Sequence, residues 1–300
     1  MLQLLAGGTM AKLVTHHDAL DVDFMRIARS HLKRLVRRRH GTGLRDGKIF
    51  RTEGISPQHL QEFTEVEFYM AYASYEDLME LTEKMFTEVL QKTFGTLRFR
   101  YGEHELDFSC PWPRVDYFAA VEEACGIDLS KVRDVAALTK EIRARKLDVH
   151  IEKGVGYGHL VDNLYKATVR PSMIQPTFLV GHPIEVSPLA KRDADKPGRV
   201  ERFQLVVAGF EVVNAYSELN DPHDQRARFA EQAKLREAGD DEAHVMDEDF
   251  VQALEYGLPP TAGWGMGVDR VLALVTNQAN VRDVVLFPTL RPEGRTLQKQ

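Results

Sequence analysis

Cysteine is scarce in this 300-residue chain, with Cys110 and Cys125 the two present. That excludes a disulfide framework and a cysteine metal cluster. Both thiols fit a reducing cytosol and are expected to be inert packing residues. Long apolar runs are missing, which excludes a membrane-spanning helix. The opening residues, MLQLLAGGTMAKLV, are too weakly apolar and too poorly flanked for a signal peptide, so a cytoplasmic protein is expected. No internal repeat occurs. With 43% hydrophobic and 28% charged residues the chain has the mix of a globular protein, which argues against disorder and fibrous repeats. A net charge of −6 argues against polyanion binding by the bulk field.

The charge that is present is uneven. From Arg29 to Arg51 nine basic residues face one acid, Asp46. Such a block suits phosphate, although a solvated segment is the plainer reading. The first sixty residues look irregular, with glycines at 7–8 and 41–47 breaking any long element. A strand is predicted over 63–72, a helix over 75–93 and a short hairpin over 97–108. Helices follow over 115–124, 131–146 and 160–169, a stretch with little obvious chemistry that reads as an insertion or packing layer. Strands return at 177–180 and 202–218, the latter folded about Ala208-Gly209. Helices over 225–237, 248–256 and 268–276 complete the pattern, which is α+β and not a βαβ series.

Three groups of residues carry chemistry. The first is Arg51 and Glu53, then His59, then Phe63, Glu65, Glu67 and Tyr69. If two antiparallel strands meet here, period 2 puts Phe63, Glu65, Glu67 and Tyr69 on one face. A solvated face with cross-strand ion pairs is the alternative. The second is Gln204, Glu211, Asn214, Tyr216 and Glu218. Glu211 has the wrong parity for Asn214, Tyr216 and Glu218, so a shared site requires a bulge near Val212-Val213. The third is Gly263-Trp264-Gly265-Met266-Gly267, followed by Arg270. Alternating glycines clear one face of a strand, where a flat ligand can lie against the backbone. The spacing matches neither a dinucleotide fingerprint nor a P-loop.

Together these residues resemble the class II lysyl-tRNA synthetases. The stretch FRTEGIS…HLQEFTEVEFYMAY is similar to that class's second signature motif, and GWGMGVDRVLAL to its third. THHDALD, IQPTFLVGHPIEVSPLAK, NAYSELNDPHDQRARF, DEDFVQALEYGLPPTAG and VLFPTLRP resemble lysine-specific blocks. The resemblance runs from about residue 2 to 292. It implies a class II synthetase catalytic domain, a mostly antiparallel sheet flanked by helices, over residues 1–300 with a mainly helical inserted segment at about 110–172. It also implies lysine adenylation with ATP and Mg²⁺, then transfer to the acceptor end of tRNA(Lys). A carboxylate with a pKa of about 2–4 is already a nucleophile at neutral pH, so positioning and charge stabilisation would carry the step.

By resemblance, Arg51 bridges the lysine carboxylate and the α-phosphate. Glu53 and His59 contact the nucleotide and Phe63 stacks on adenine. Arg270 covers the other face and reaches the γ-phosphate, with Gly267 beside the nucleotide. Glu211 holds Mg²⁺, Gly8 and Glu67 meet the α-amino group, and Tyr69 and Glu218 take the ε-ammonium, with Asn214 and Tyr216 shaping that pocket.

The chain also departs from the family. The anticodon-binding OB-fold and most of the first class motif are not in the sequence, so a homodimer with a weakened interface is expected. Gln204 stands where a second metal carboxylate is common. A glutamate expected to face the substrate amino group is missing from 26–35. Residues 37–46 are basic where an apolar strand is expected. Removing one base from a suitable codon choice for 38–46 gives Gly-Gly-Met-Glu-Arg-Val-Tyr-Glu, which suggests a local frameshift that damages a central strand; the DNA sequence decides it. Two other readings are open: a lysine ligase acting on a protein acceptor of the elongation factor P type, and a non-catalytic ATP-binding remnant.

Overall fold

A computed structural model describes residues 15–17, 22–24, 42–50, 56–151, 154–237 and 245–288. The elements run β1 (Thr15–His17), β2 (Val22–Phe24), β3 (Thr42–Phe50), β4 (Glu62–Ala71), α1 (Tyr75–Phe94), β5 (Arg98–Tyr101), β6 (His104–Asp107) and β7 (Arg114–Asp116). Then come α2 (Tyr117–Cys125), α3 (Val135–Ala144), α4 (Tyr157–Thr168), β8 (Thr177–Val180), β9 (Arg202–Val207) and β10 (Phe210–Ser217). The described chain closes with α5 (Pro222–Glu237), α6 (Glu248–Glu255), β11 (Thr261–Gly267) and α7 (Val268–Val275).

Seven strands form the main sheet in the order β3-β4-β11-β10-β9-β8-β7. Every pairing is antiparallel except β7 with β8, whose connection passes through α2, α3 and α4. The architecture is therefore α+β with one parallel pair at an edge. β1 pairs with β2, and β5 with β6, as separate two-stranded units.

One face of the sheet is apolar and packs on α1. That helix begins with a capping box between Ser74 and Asp77 and ends at Gly95, whose φ of 71° suits glycine. Its Leu78, Met79, Thr82, Phe86 and Leu90 recur at three- and four-residue spacing and are buried. They meet Phe68 and Trp264 from the sheet, whose rings stack at 4.9 Å. The Trp264 indole donates to Thr82 Oγ1 at 2.9 Å, satisfying two buried polar groups at once. A second core joins α2, α3 and α4 to Leu179 and Val206, so these helices cover the β8–β9 end of the opposite face. A third gathers Phe229, Phe250, Val251 and Leu254 of α5 and α6, with Tyr216 packed against it.

Three expectations need correction. The glycine-containing run before residue 50 does not break the chain: β3 pairs with β4 from Thr42↔Met70 to Phe50↔Glu62. Partner backbone, not local propensity, holds it extended, and Gly47 at φ 151° takes a conformation other residues rarely adopt. Nor is β3 a central strand. It lies at the sheet's edge, and Leu44, Asp46 and Lys48 are exposed, so their polarity involves no buried charge. Cys110 is also exposed; only Cys125 is partly packed.

Candidate functional site

The face opposite α1 carries the polar residues. On β4, Glu65, Glu67 and Tyr69 alternate with the core residues Val66 and Phe68, as period 2 requires. Their register partners on β11 are Gly267, Gly265 and Gly263. β10 sets Asn214 opposite Gly265 and Tyr216 opposite Gly263, and β9 sets Gln204 opposite Asn214 and Arg202 opposite Tyr216. A row of glycines thus runs between two rows of polar side chains.

Each group has a local reason for its position. The register of β9 and β10 shifts between Glu211 and Val213. This bulge reverses the alternation and returns Glu211 to the face of Gln204, whose amide donates to the Glu211 carboxylate at 2.8 Å. Arg270, at the start of α7, donates from Nη1 to the Glu211 backbone carbonyl at 2.7 Å and from Nε to the Gln58 carbonyl at 3.4 Å. His59 lies in the turn before β4, its Nδ1 2.8 Å from Ser56 Oγ. Phe63 is half-buried on β4 in the same alternation as Glu65.

The far end is a buried acidic pocket. Glu67 is 3%, Tyr69 2% and Glu218 3% exposed, and the Tyr69 hydroxyl donates to Glu67 Oε1 at 2.7 Å. A methyl group at Gly263 would collide with the Glu218 carboxylate and lie 2.6 Å from Tyr69 Cε1. Gly263 is therefore what lets both side chains lie flat on the sheet. A cavity of about 370 Å³ opens beside Glu218, reaching Asp77, Lys191 and Glu201. The side chains gathered here make this end of the site acidic.

The chain matches the family described as tRNA synthetases class II (D, K and N) over residues 23–291. The chain belongs to that family. It is 46% identical to a lysine–tRNA ligase of Bacillus subtilis, over 95% of this chain and 57% of that protein. A lysine–tRNA ligase of Bacillus cytotoxicus is 44% identical over 97% of this chain and 58% of its own length. One of Fervidobacterium nodosum is 46% identical, over 98% and 57% respectively. The chain therefore spans less than two thirds of these relatives.

Within this class II frame, Gln58, His59, Phe63, Glu67, Tyr69, Gln204, Glu211, Asn214, Tyr216, Glu218, Gly267 and Arg270 lie on or beside one sheet face. Gly8, Arg51 and Glu53 lie outside the described residues. For the Mg²⁺ that the resemblance implies, no group of three or more His, Cys, Asp or Glu converges among the described residues. Glu211 supplies one carboxylate and Gln204 an amide oxygen. That set fits Mg²⁺ held chiefly by phosphate oxygens, which takes only one or two protein carboxylates, and does not fit an all-protein cage.

Two positioning residues were not singled out by motif. Arg202 donates to Asn214 Oδ1 at 2.9 Å, to the Val186 carbonyl at 2.9 Å and to Ser187 Oγ at 2.8 Å, fixing the Asn214 amide from the next strand. Its parity with Gln204 was the available signal. Asp269 is buried and accepts from the Thr64 backbone N–H at 2.7 Å, tying the start of α7 to β4 and holding Arg270 over the site. Its place beside Arg270 in the third motif was visible, but its partner lies 205 residues away.

Proposed function

We propose that this chain carries the catalytic domain of a cytoplasmic lysine–tRNA ligase. The observation that carries the reading is the buried acidic end of the site, where Tyr69 and Glu218 lie over Gly263 and the Tyr69 hydroxyl donates to Glu67. Lysine is a long cationic substrate, and a carboxylate and phenol at the closed end of a pocket suit its ε-ammonium. Glu67 and Gly8 then meet the α-amino group, and Asn214 and Tyr216 shape the ε-ammonium pocket.

ATP lies along the glycine row. Phe63 and Arg270 take the two faces of adenine, Glu53 and His59 hold the nucleotide, and Gly267 leaves the backbone open to it. Bound Mg²⁺ would neutralise phosphate charge, with Glu211 as its protein carboxylate and Gln204 as a neutral neighbour. Arg51 holds the lysine carboxylate against the α-phosphate. A carboxylate oxygen attacks the α-phosphorus, the bond to the β-phosphate breaks, and pyrophosphate leaves. The terminal hydroxyl of tRNA(Lys) then attacks the lysyl carbonyl and AMP leaves. No side chain moves a proton in the first step, so positioning and charge carry the rate.

Lysine-dependent exchange of labelled pyrophosphate into ATP tests the first step. Exchange with lysine and none with arginine or ornithine is the expected result; no exchange with any amino acid refutes the reading. Charging of tRNA(Lys) against lysylation of an elongation factor P acceptor then identifies the second substrate.

A further inference from the structure

The inserted helical layer bears on the phosphate end of the site. Val206, the register partner of Glu211, packs in one core with Tyr165 of α4 and with Val169 just beyond it. The segment after α4 is bonded to the β9–β10 turn: Ala208 donates to the Ile174 carbonyl at 2.8 Å and Gly209 to that of Met173 at 3.0 Å. At Gly209, where a side chain would begin, the Arg170 carbonyl is 3.5 Å away. Lys166 lies one turn after Asp162 on α4, and Arg170 opens the short 3-10 turn that follows the helix. Lys166 is paired with Asp162 at 2.6 Å, and Arg170 makes no ion pair among the described residues.

We propose that Lys166 and Arg170 bind the β- and γ-phosphates of ATP and hold the leaving pyrophosphate. The proposal rests on the ATP-activating reading above. It follows from charge: the hairpin offers one carboxylate, Glu211, and a neutral amide, Gln204, so little protein charge opposes cations here. Burial and then the Arg170 charge lower the Lys166 pKa, but the Asp162 carboxylate, with a smaller contribution from Glu211, outweighs them, so the ammonium stays charged. An arginine fork and a lysine point charge are the residues suited to terminal phosphates.

Calorimetric titration of the chain with ATP, AMP and inorganic pyrophosphate tests it, with Lys166→Ala/Arg170→Ala as the variant and Lys166→Arg/Arg170→Lys as the charge-preserving control. ATP and pyrophosphate are expected to bind the alanine variant roughly tenfold more weakly, with AMP affinity and melting temperature unchanged and most of the loss recovered in the control. Equal weakening of ATP and AMP, unchanged binding of all three, or a shift confined to the KM for tRNA overturns the proposal. If the unmodified chain binds AMP and ATP alike, the proposal falls while nucleotide binding stands. If it binds neither, the ATP-site reading falls too.

Discussion

At Gly263 the missing side chain makes room for two others, and nothing else in the strand could. Gly263→Ala pushes a methyl group into Glu218 and Tyr69. The KM for lysine is expected to rise at least tenfold, with the KM for ATP changed much less and the circular dichroism spectrum intact; equal effects on both constants would contradict the pocket assignment. Tyr69→Phe removes the donor to Glu67 at a position only 2% exposed. Leaving a buried carboxylate short of a hydrogen bond costs about 1–3 kcal/mol, and denaturant unfolding should read that loss. Much of this was legible in the sequence. The alternation of Glu65, Glu67 and Tyr69, and the bulge demanded by the odd parity of Glu211, both follow from period 2. Arg202 and Asp269 were not legible as positioning residues, because their partners lie on other strands.

Among the elements, the link between α5 and the rest depends on Arg228. It is 7% exposed and donates to Asp224, to the Ser187 carbonyl and to the Ala190 carbonyl at 2.6 Å. Arg192 donates to the same carboxylate in a fork of two 2.8 Å bonds. Asp224→Ala strands a buried guanidinium and is expected to destabilise the chain by about 3–5 kcal/mol, measurable as a lowered midpoint in urea. No effect on the midpoint would mean that water already screens the pair. Helix α1 was read from its stripe and its closing glycine to within a residue. Helices α2, α3 and α4 were recognised too, with ends displaced by several residues. β3 was expected from the resemblance alone and as a central strand, since polar residues and glycines in an exposed edge strand leave no local signature.

Across the whole molecule, stability depends on pH through groups that folding moves away from their ordinary range. His182 is buried against Tyr117, with ring centroids 5.2 Å apart, and burial, then the Arg202 charge, holds its pKa well below 6.5. The native state keeps this imidazole neutral, so its contribution is intact above about pH 6.5 and declines as pH falls and the unfolded chain takes the proton. Burial would raise the Asp224 pKa, but the bonds from Arg192 and Arg228 hold it far below the usual carboxylate value of 3.8. Its contribution is present above that value and is lost at more acidic pH. The melting temperature should therefore fall in two stages, first below about pH 6.5 and again near pH 4. His182→Asn should flatten the first stage alone, and a profile level between pH 7 and pH 5 would contradict this account.

The chain's residues alone determined the period-2 and period-3.6 patterns, the glycine-cleared strand and the motifs that mark a class II synthetase, because each is written in short-range spacing. Which strands become neighbours, that β3 closes the edge, that Arg202 fixes Asn214 and that α2, α3 and α4 pack on Leu179 and Val206 were decided by tertiary structure. Those outcomes depend on contacts between residues far apart in the chain, where local preference is weak and only the assembled sheet selects the partner.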